Sequence, residues 1–241
     1  MLEAMRGWAS MAWLTRYDAS KHRRGVAMVW LVLLGASPAL SPAAPPSSSY
    51  KLVLADTFDE PVLDTLKWNF NYPWGRQHNH QGYMTEDRVV VTNGVLDLEA
   101  KTGRDPNAVD FWRDDFGWQQ VNYTTGAINT SGKLNFTRGY IEASVKLYGA
   151  TGSWPAIWML GNGWPPEIDL MEFPRASGSG LSNTNNTAMF NYHYTNASGA
   201  NASYYKRDTG LPTLTDGFHT FALEWTSSAM NFSSTGRCGM P

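Results

Sequence analysis

Three carboxylates fall within six residues in the segment Pro166-Glu167-Ile168-Asp169-Leu170-Met171-Glu172-Phe173, with apolar residues between them. On a strand the side chains alternate with period two, so Glu167 and Asp169 share a face. Glu172 is five positions beyond Glu167, and a regular strand would turn it to the opposite, buried face. Burying an ionised group there is costly. One additional residue, a β-bulge near Leu170 or Met171, returns Glu172 to the face of Glu167 and leaves Ile168 and Phe173 pointing inward. The pattern therefore predicts a bulged strand with all three acids on one cleft.

Such a strand can cleave a glycosidic bond with retention. That chemistry needs two carboxyl groups about 5–5.5 Å apart, one attacking the anomeric carbon and one protonating the leaving oxygen. Four regular strand steps span roughly 13 Å between Cα atoms, so the two glutamates must lean together. Asp169, between them, couples their titrations. An acidic, solvated edge strand has a similar alternation, and the surrounding sequence decides between the two.

The elements that must position this strand are also strands. Val89–Thr92, Asn93-Gly94 and Val95–Ala100 form a two-residue hairpin signal. Ile141, Ala143, Val145 and Leu147 alternate with Tyr140, Glu142, Ser144 and Lys146, as in a half-buried strand. Phe218–Trp225 and Ala188–Tyr194 alternate as well, and Gly, Asn and Pro clusters separate the runs. No long amphipathic helix is evident after the N-terminal region, so the fold class is all-β, a sandwich or barrel. Residues 101–125 and 176–187 read as long loops.

Charged residues make up 17% of the 241, the net charge is −2, and no basic run stands out. That argues against a nucleic-acid partner. Eleven Trp, eleven Tyr and ten Phe supply a β core and, in part, flat rings for sugar faces. Cys238 is the only cysteine and forms no intrachain disulfide. Lys21, Arg23 and Arg24 precede an apolar run from Val26 to Leu34 and then small residues. This order reads as a secretory signal within residues 1–44, with a signal anchor as the alternative, followed by a linker over 45–50. The run is short for a bilayer span, so no stable membrane insertion is expected after cleavage. Sequons at Asn122, Asn129, Asn135, Asn185, Asn196, Asn201 and Asn231 agree with a secreted glycoprotein.

Taken together, residues 51–228 resemble glycoside hydrolase family 16, and its laminarinase-like branch in particular. The matching stretches are A-D-T-F-D-E (55–60), L-D-T-L-K-W (63–68), R-G-Y-I-E-A-S-V-K-L (138–147) and G-S-W-P-A-I-W-M-L (152–160). W-P-P-E-I-D-L-M-E (164–172) and F-H-T-F-A-L-E-W-T (218–226) complete the series in the same order. The resemblance implies a jelly-roll of two stacked, curved antiparallel sheets whose concave face holds an extended polysaccharide. It maps the nucleophile onto Glu167, the acid/base onto Glu172 and the assisting carboxylate onto Asp169. The extra residue between Asp169 and Glu172 is similar to laminarinases and red-algal galactan hydrolases. It implies endo-hydrolysis of a β-1,3- or mixed β-1,3/1,4-glucan, with an agarase-like galactan hydrolase as the alternative.

Trp154 and Trp158, four apart and on one face, match tryptophans that line glycan subsites. His193 shares its face with Met189 and Asn191, and a cleft position near the acid/base is expected. Trp164 is placed at the rim, and Asn79 in a loosely matching glycan-contacting loop. No cofactor is needed; a structural calcium near Asp59 and Glu60 is possible and not required. A cell-wall glucan transglycosylase and a non-catalytic β-glucan-binding protein share the fold and are the rival readings. A monomer is expected. Family members continue with further strands after the segment matching Trp225, whereas residues 229–241 match no part of the pattern. A partial domain, incomplete at its C-terminal end and followed by an aberrant tail, is the expectation.

Overall fold

The protein is described from a computed structural model, which covers the backbone of residues 5–16 and all of 47–78, 81–114, 117–175 and 184–234. The signal-like residues Lys21 to Leu34, Asn79 and most of the 176–187 loop lie outside the described residues. Among the described residues, apart from one 3-10 turn at Glu86–Arg88, the regular elements are strands. Among the described residues no helix is long and apolar enough to cross a membrane.

The chain forms two compact units, one built mainly of Asp56–Thr137 and the other mainly of Arg138–Pro241. In the first, Val89–Thr92 and Val95–Thr102 pair through the expected two-residue turn. Asn93 (φ 51°) and Gly94 (φ 72°) both adopt the left-handed conformation that matches strand twist in such a turn. Val95–Thr102 also pairs with Tyr123–Thr125, and its Leu96–Ala100 part pairs with Met5–Ala9. Tyr123–Thr125 runs parallel to Gly82–Met84, an exception to the antiparallel pairing expected throughout.

The 101–125 segment is not a plain loop. It holds a short hairpin, Phe111–Arg113 with Gly117–Gln119, whose three-residue strands are too brief to show a period in sequence. Asn129 spends its sequon side chain internally, donating to the Asn71 carbonyl (2.9 Å) and accepting from the Ser131 N–H (2.9 Å).

The second unit contains two sheets. Ala156–Leu160, Glu167–Glu172, Thr187–Thr195 and Asn201–Thr209 lie side by side in that order, all antiparallel. Gly139–Lys146, His219–Trp225 and Met230–Ser234 form the other ladder. The sheets face each other through Phe190, whose ring centroid is 6.5 Å from Phe221 and 5.2 Å from Phe232. Phe232 belongs to the segment that the sequence sets apart after residue 228. Met230–Ser234 nevertheless continues the ladder from His219–Trp225, so the paired region reaches Ser234.

The Gly139–Lys146 strand is not half-buried. Ile141 and Ala143 are in the core as expected, but Tyr140 and Glu142 are buried too. Tyr50 covers that second face, meeting Tyr140 edge to face at 6.2 Å, while the Tyr140 hydroxyl donates to Glu142 (2.7 Å). A polar residue can be buried there because it is paired.

Candidate active site

The arrangement of the three acids begins with a fault in the ladder. On one side of Glu167–Glu172, Trp158 pairs with Asp169 while its neighbour Ile157 pairs with Met171. On the other side, Asp169 pairs with Asn191 and Glu172 with Met189, three steps against two. The strand carries one residue more than its neighbours, as a bulge requires. Leu170 and Met171 are both fully buried in consequence, and Glu172 returns to the face of Glu167 and Asp169. Ile168 and Phe173 point into the core, as the alternation predicts.

Cross-strand pairing then fixes which side chains share that face. Leu160, Glu167, His193 and Ser203 form one row; Trp158, Asp169, Asn191 and Tyr205 form the next. Ala156, Glu172, Met189 and Arg207 form the third. Directly opposed residues in antiparallel strands have adjacent side chains, so the three acids are set against a small, specific group of neighbours.

Glu172 is held from two directions. The Trp154 indole N–H donates to Oε1 (2.8 Å), and the Asn191 side-chain amide donates to Oε2. Trp154 precedes the strand, which starts at Ala156, so it and Trp158 do not share one regular strand; both are nonetheless drawn to the acids. His193 Nε2 lies 3.4 Å from Asp169 Oδ2 and 3.6 Å from Glu167 Oε1. Its other ring nitrogen, Nδ1, is 2.8 Å from the Ser203 hydroxyl. The Trp164 ring stands 5.8 Å from the His193 ring and is 54% exposed, a rim position. Every cleft residue expected from sequence, within the described residues, is gathered here.

Burial sets the charge state. Asp169 is pushed up to about 8, by burial first and then by the charges of Glu172 and Glu167, against a hydrogen bond from Asn191. Glu167 is raised by burial and by the Glu172 charge. Glu172 is raised by burial, opposed by the bonds from Trp154 and Asn191. Burial lowers His193, so the imidazole is neutral beside a protonated Asp169 at neutral pH. Three carboxyls this close share protons and titrate as a set. The site thus holds a carboxylate and a carboxylic acid together, which acid/base and nucleophilic steps both need.

Two residues of the site escape the sequence reading, Asn191 and Ser203. Asn191 is two positions from His193 and so shares its face, a signal that period two does carry. Ser203 lies on a separate strand and becomes a neighbour only through pairing. Glu167, Asp169 and His193 also offer ligand atoms within 4.8 Å of one another, the group of this kind found among the described residues. Asp59 and Glu60 are exposed and belong to no such group among the described residues.

A family model described as glycosyl hydrolases family 16 matches residues 76–237. The β-glucanase of Rhodothermus marinus is 30% identical over 222 residues, covering 86% of this chain and 70% of that protein. Among solved structures, SCLam, a non-specific endo-β-1,3(4)-glucanase, is similar at 30% identity with a TM-score of 0.64, covering 83% of this chain and 74% of that one. The laminarinase catalytic domain of Thermotoga maritima is similar at 29% identity with a TM-score of 0.58, covering 78% and 75%. The fold they share with this chain is an all-β jelly-roll.

Proposed function

We propose that this chain, which belongs to glycosyl hydrolases family 16, cuts internal bonds of a β-1,3- or mixed β-1,3/1,4-glucan with retention at the anomeric carbon. The observation that carries the reading is the bulge at Leu170-Met171, which sets Glu167, Asp169 and Glu172 on one face beside Trp154 and Trp158. The names of the relatives supply the linkage: a β-glucanase, a laminarinase and an endo-β-1,3(4)-glucanase.

In this reading Glu167 is the nucleophile. Its carboxylate oxygen bonds to the anomeric carbon as the bond to the leaving oxygen breaks. Glu172 gives its proton to that oxygen. In the second half Glu172 takes a proton from water, the water oxygen bonds to the anomeric carbon, and Glu167 is released. Trp154 and Asn191 fix the direction in which Glu172 transfers its proton, so less is lost to misalignment. Protonated Asp169 offers a hydrogen-bond donor between the glutamates, and its neutrality spares Glu167 a second adjacent negative charge. Trp158 and Trp164 present ring faces to the sugar, and His193 reaches the same row as Glu167.

The assignment of the two glutamates follows from the family pattern and is tested by azide rescue. Glu167→Ala with azide should give the α-glycosyl azide, because azide enters from the vacated face. Glu172→Ala should give the β-azide from an activated substrate, by attack on the covalent intermediate. The reverse pattern would overturn the assignment.

A binding-only role is disfavoured by the retention of all three acids, and product sizes from a defined oligosaccharide separate hydrolysis from glycosyl transfer to another sugar. The charged, apolar and small residues of 21–44 and the sequons other than that of Asn129 support a secreted, glycosylated enzyme.

A further inference from the structure

The exposed face of the hairpin Phe111–Arg113 and Gly117–Gln119 carries two tryptophans that the catalytic reading does not use. The strands alternate across it. Phe111 and Gln119, which pair with each other, turn down: Phe111 packs on the buried cluster of Tyr83, Ala108 and Val121, and Gln119 is itself buried. Trp112 and Trp118 also pair, and both turn out, 64% and 58% exposed. The Trp112 indole N–H donates to Asp114 Oδ1 (3.2 Å) and its ring edge passes within 3.8 Å of the place a Cβ would take at Gly117. The bond and the contact favour one orientation of that ring.

Two large rings kept in solvent are unfavourable for the isolated chain, since each exposes apolar area that burial would stabilise. We propose that Trp112 and Trp118 form an accessory platform for a β-glucan chain, separate from the carboxylate cleft in its residues and in its role. The ligand's identity rests on the glucanase reading above.

The chemistry and the size of the platform favour a saccharide over a protein. Indole faces meet the C–H faces of pyranoses, and the neutral polymer asks for no charge cluster. Directly paired strand residues lie about 4.5–5.5 Å apart, comparable with one sugar repeat along the chain. The exposed parts of two tryptophans amount to about 300 Å². A stable protein partner, or a second copy of this chain, needs about 800 Å² a side. The platform suits two or three sugar units and is too small for a dimer interface.

The test measures partition of the full chain onto insoluble β-1,3-glucan, in the Glu167→Gln background so that nothing is consumed. Replacing both rings, Trp112→Ala with Trp118→Ala, should weaken retention about three- to tenfold, the loss expected for aromatic contacts of this kind. Trp112→Tyr with Trp118→Tyr should keep most of it. Phe111 and Gln119 remain to anchor the hairpin; should the double variant melt early, each single Trp→Ala replacement is to show part of the loss. Equal retention by the alanine variant, or equal loss with tyrosine and alanine, overturns the platform. Cleavage of laminarin by the wild type is scored separately. Its absence overturns the catalytic reading, while the partition result still decides the platform.

Discussion

Asn191 lies directly across the ladder from Asp169 yet gives its side-chain amide to Glu172. One residue therefore touches the charge balance of two of the three acids. It lowers both, against the burial that raises them. Replacing it with leucine, close in size, should raise Glu172, so the basic limb of the kcat/KM profile moves to higher pH. It also releases one of the two holds on that carboxyl, and kcat should fall about 10²-fold, as for a misplaced catalytic group. A pH–rate series on laminarin checks both effects; an unmoved basic limb would contradict them.

Deleting Leu170 removes the extra residue and the need for a bulge together. Glu172 then stands four positions from Glu167, on the same face of a regular strand. Hydrolysis should therefore be reduced but not abolished, while the thermal midpoint falls with the loss of a fully buried leucine, worth about 2–5 kcal/mol. Leu170→Met keeps the count and should retain most of both. Complete loss of activity in a deletion variant that still folds would mean that the bulge does more than return Glu172 to the face of Glu167.

Asp169→Asn separates stability from catalysis. The folded pKa of Asp169, about 8, is above the ordinary value of 3.8, so the protonated form is the one folding favours. Its contribution is fully present below the unfolded value and is lost as pH rises towards about 8. Asparagine carries no such penalty. The variant should therefore match the wild type in thermal midpoint near the unfolded pKa and exceed it increasingly up to about pH 8. Its kcat should nonetheless fall. Melting curves across that range check the sign; a growing deficit in the variant would reverse it.

Ser203 acts through His193. Its hydroxyl meets Nδ1 at 2.8 Å, which leaves Nε2 directed at Asp169 and Glu167. Ser203→Ala removes the contact that fixes ring and tautomer. The expected result is a kcat about tenfold lower with KM little changed, an interaction felt in the transition state. Ser203→Thr, which keeps the hydroxyl, should restore it. A change confined to KM, or failure of threonine to rescue, would contradict the positioning role.

The parts of this molecule legible in its sequence are those decided locally. Asn93-Gly94 marks a turn because few other pairs tolerate two positive φ values, and the turn is there. The bulge is legible because the alternative would bury Glu172, a cost large enough to dictate backbone. The burial of Tyr140 and Glu142 is different. It depends on Tyr50, ninety positions earlier, closing over a face that looks polar in isolation. The Trp112–Trp118 hairpin is hidden for another reason, since three-residue strands carry too few alternations to establish a period. Ser203 joins the site only when Asn201–Thr209 pairs with Thr187–Thr195, which no spacing within either strand announces.

Proton NMR of the first products released from a β-glucan tests the double-displacement account most directly. Attack by Glu167 followed by water from the same side requires the β-anomer to appear first and the α-anomer only as mutarotation proceeds. Initial release of the α-anomer would mean a single displacement, with the two glutamates too far apart to work as described.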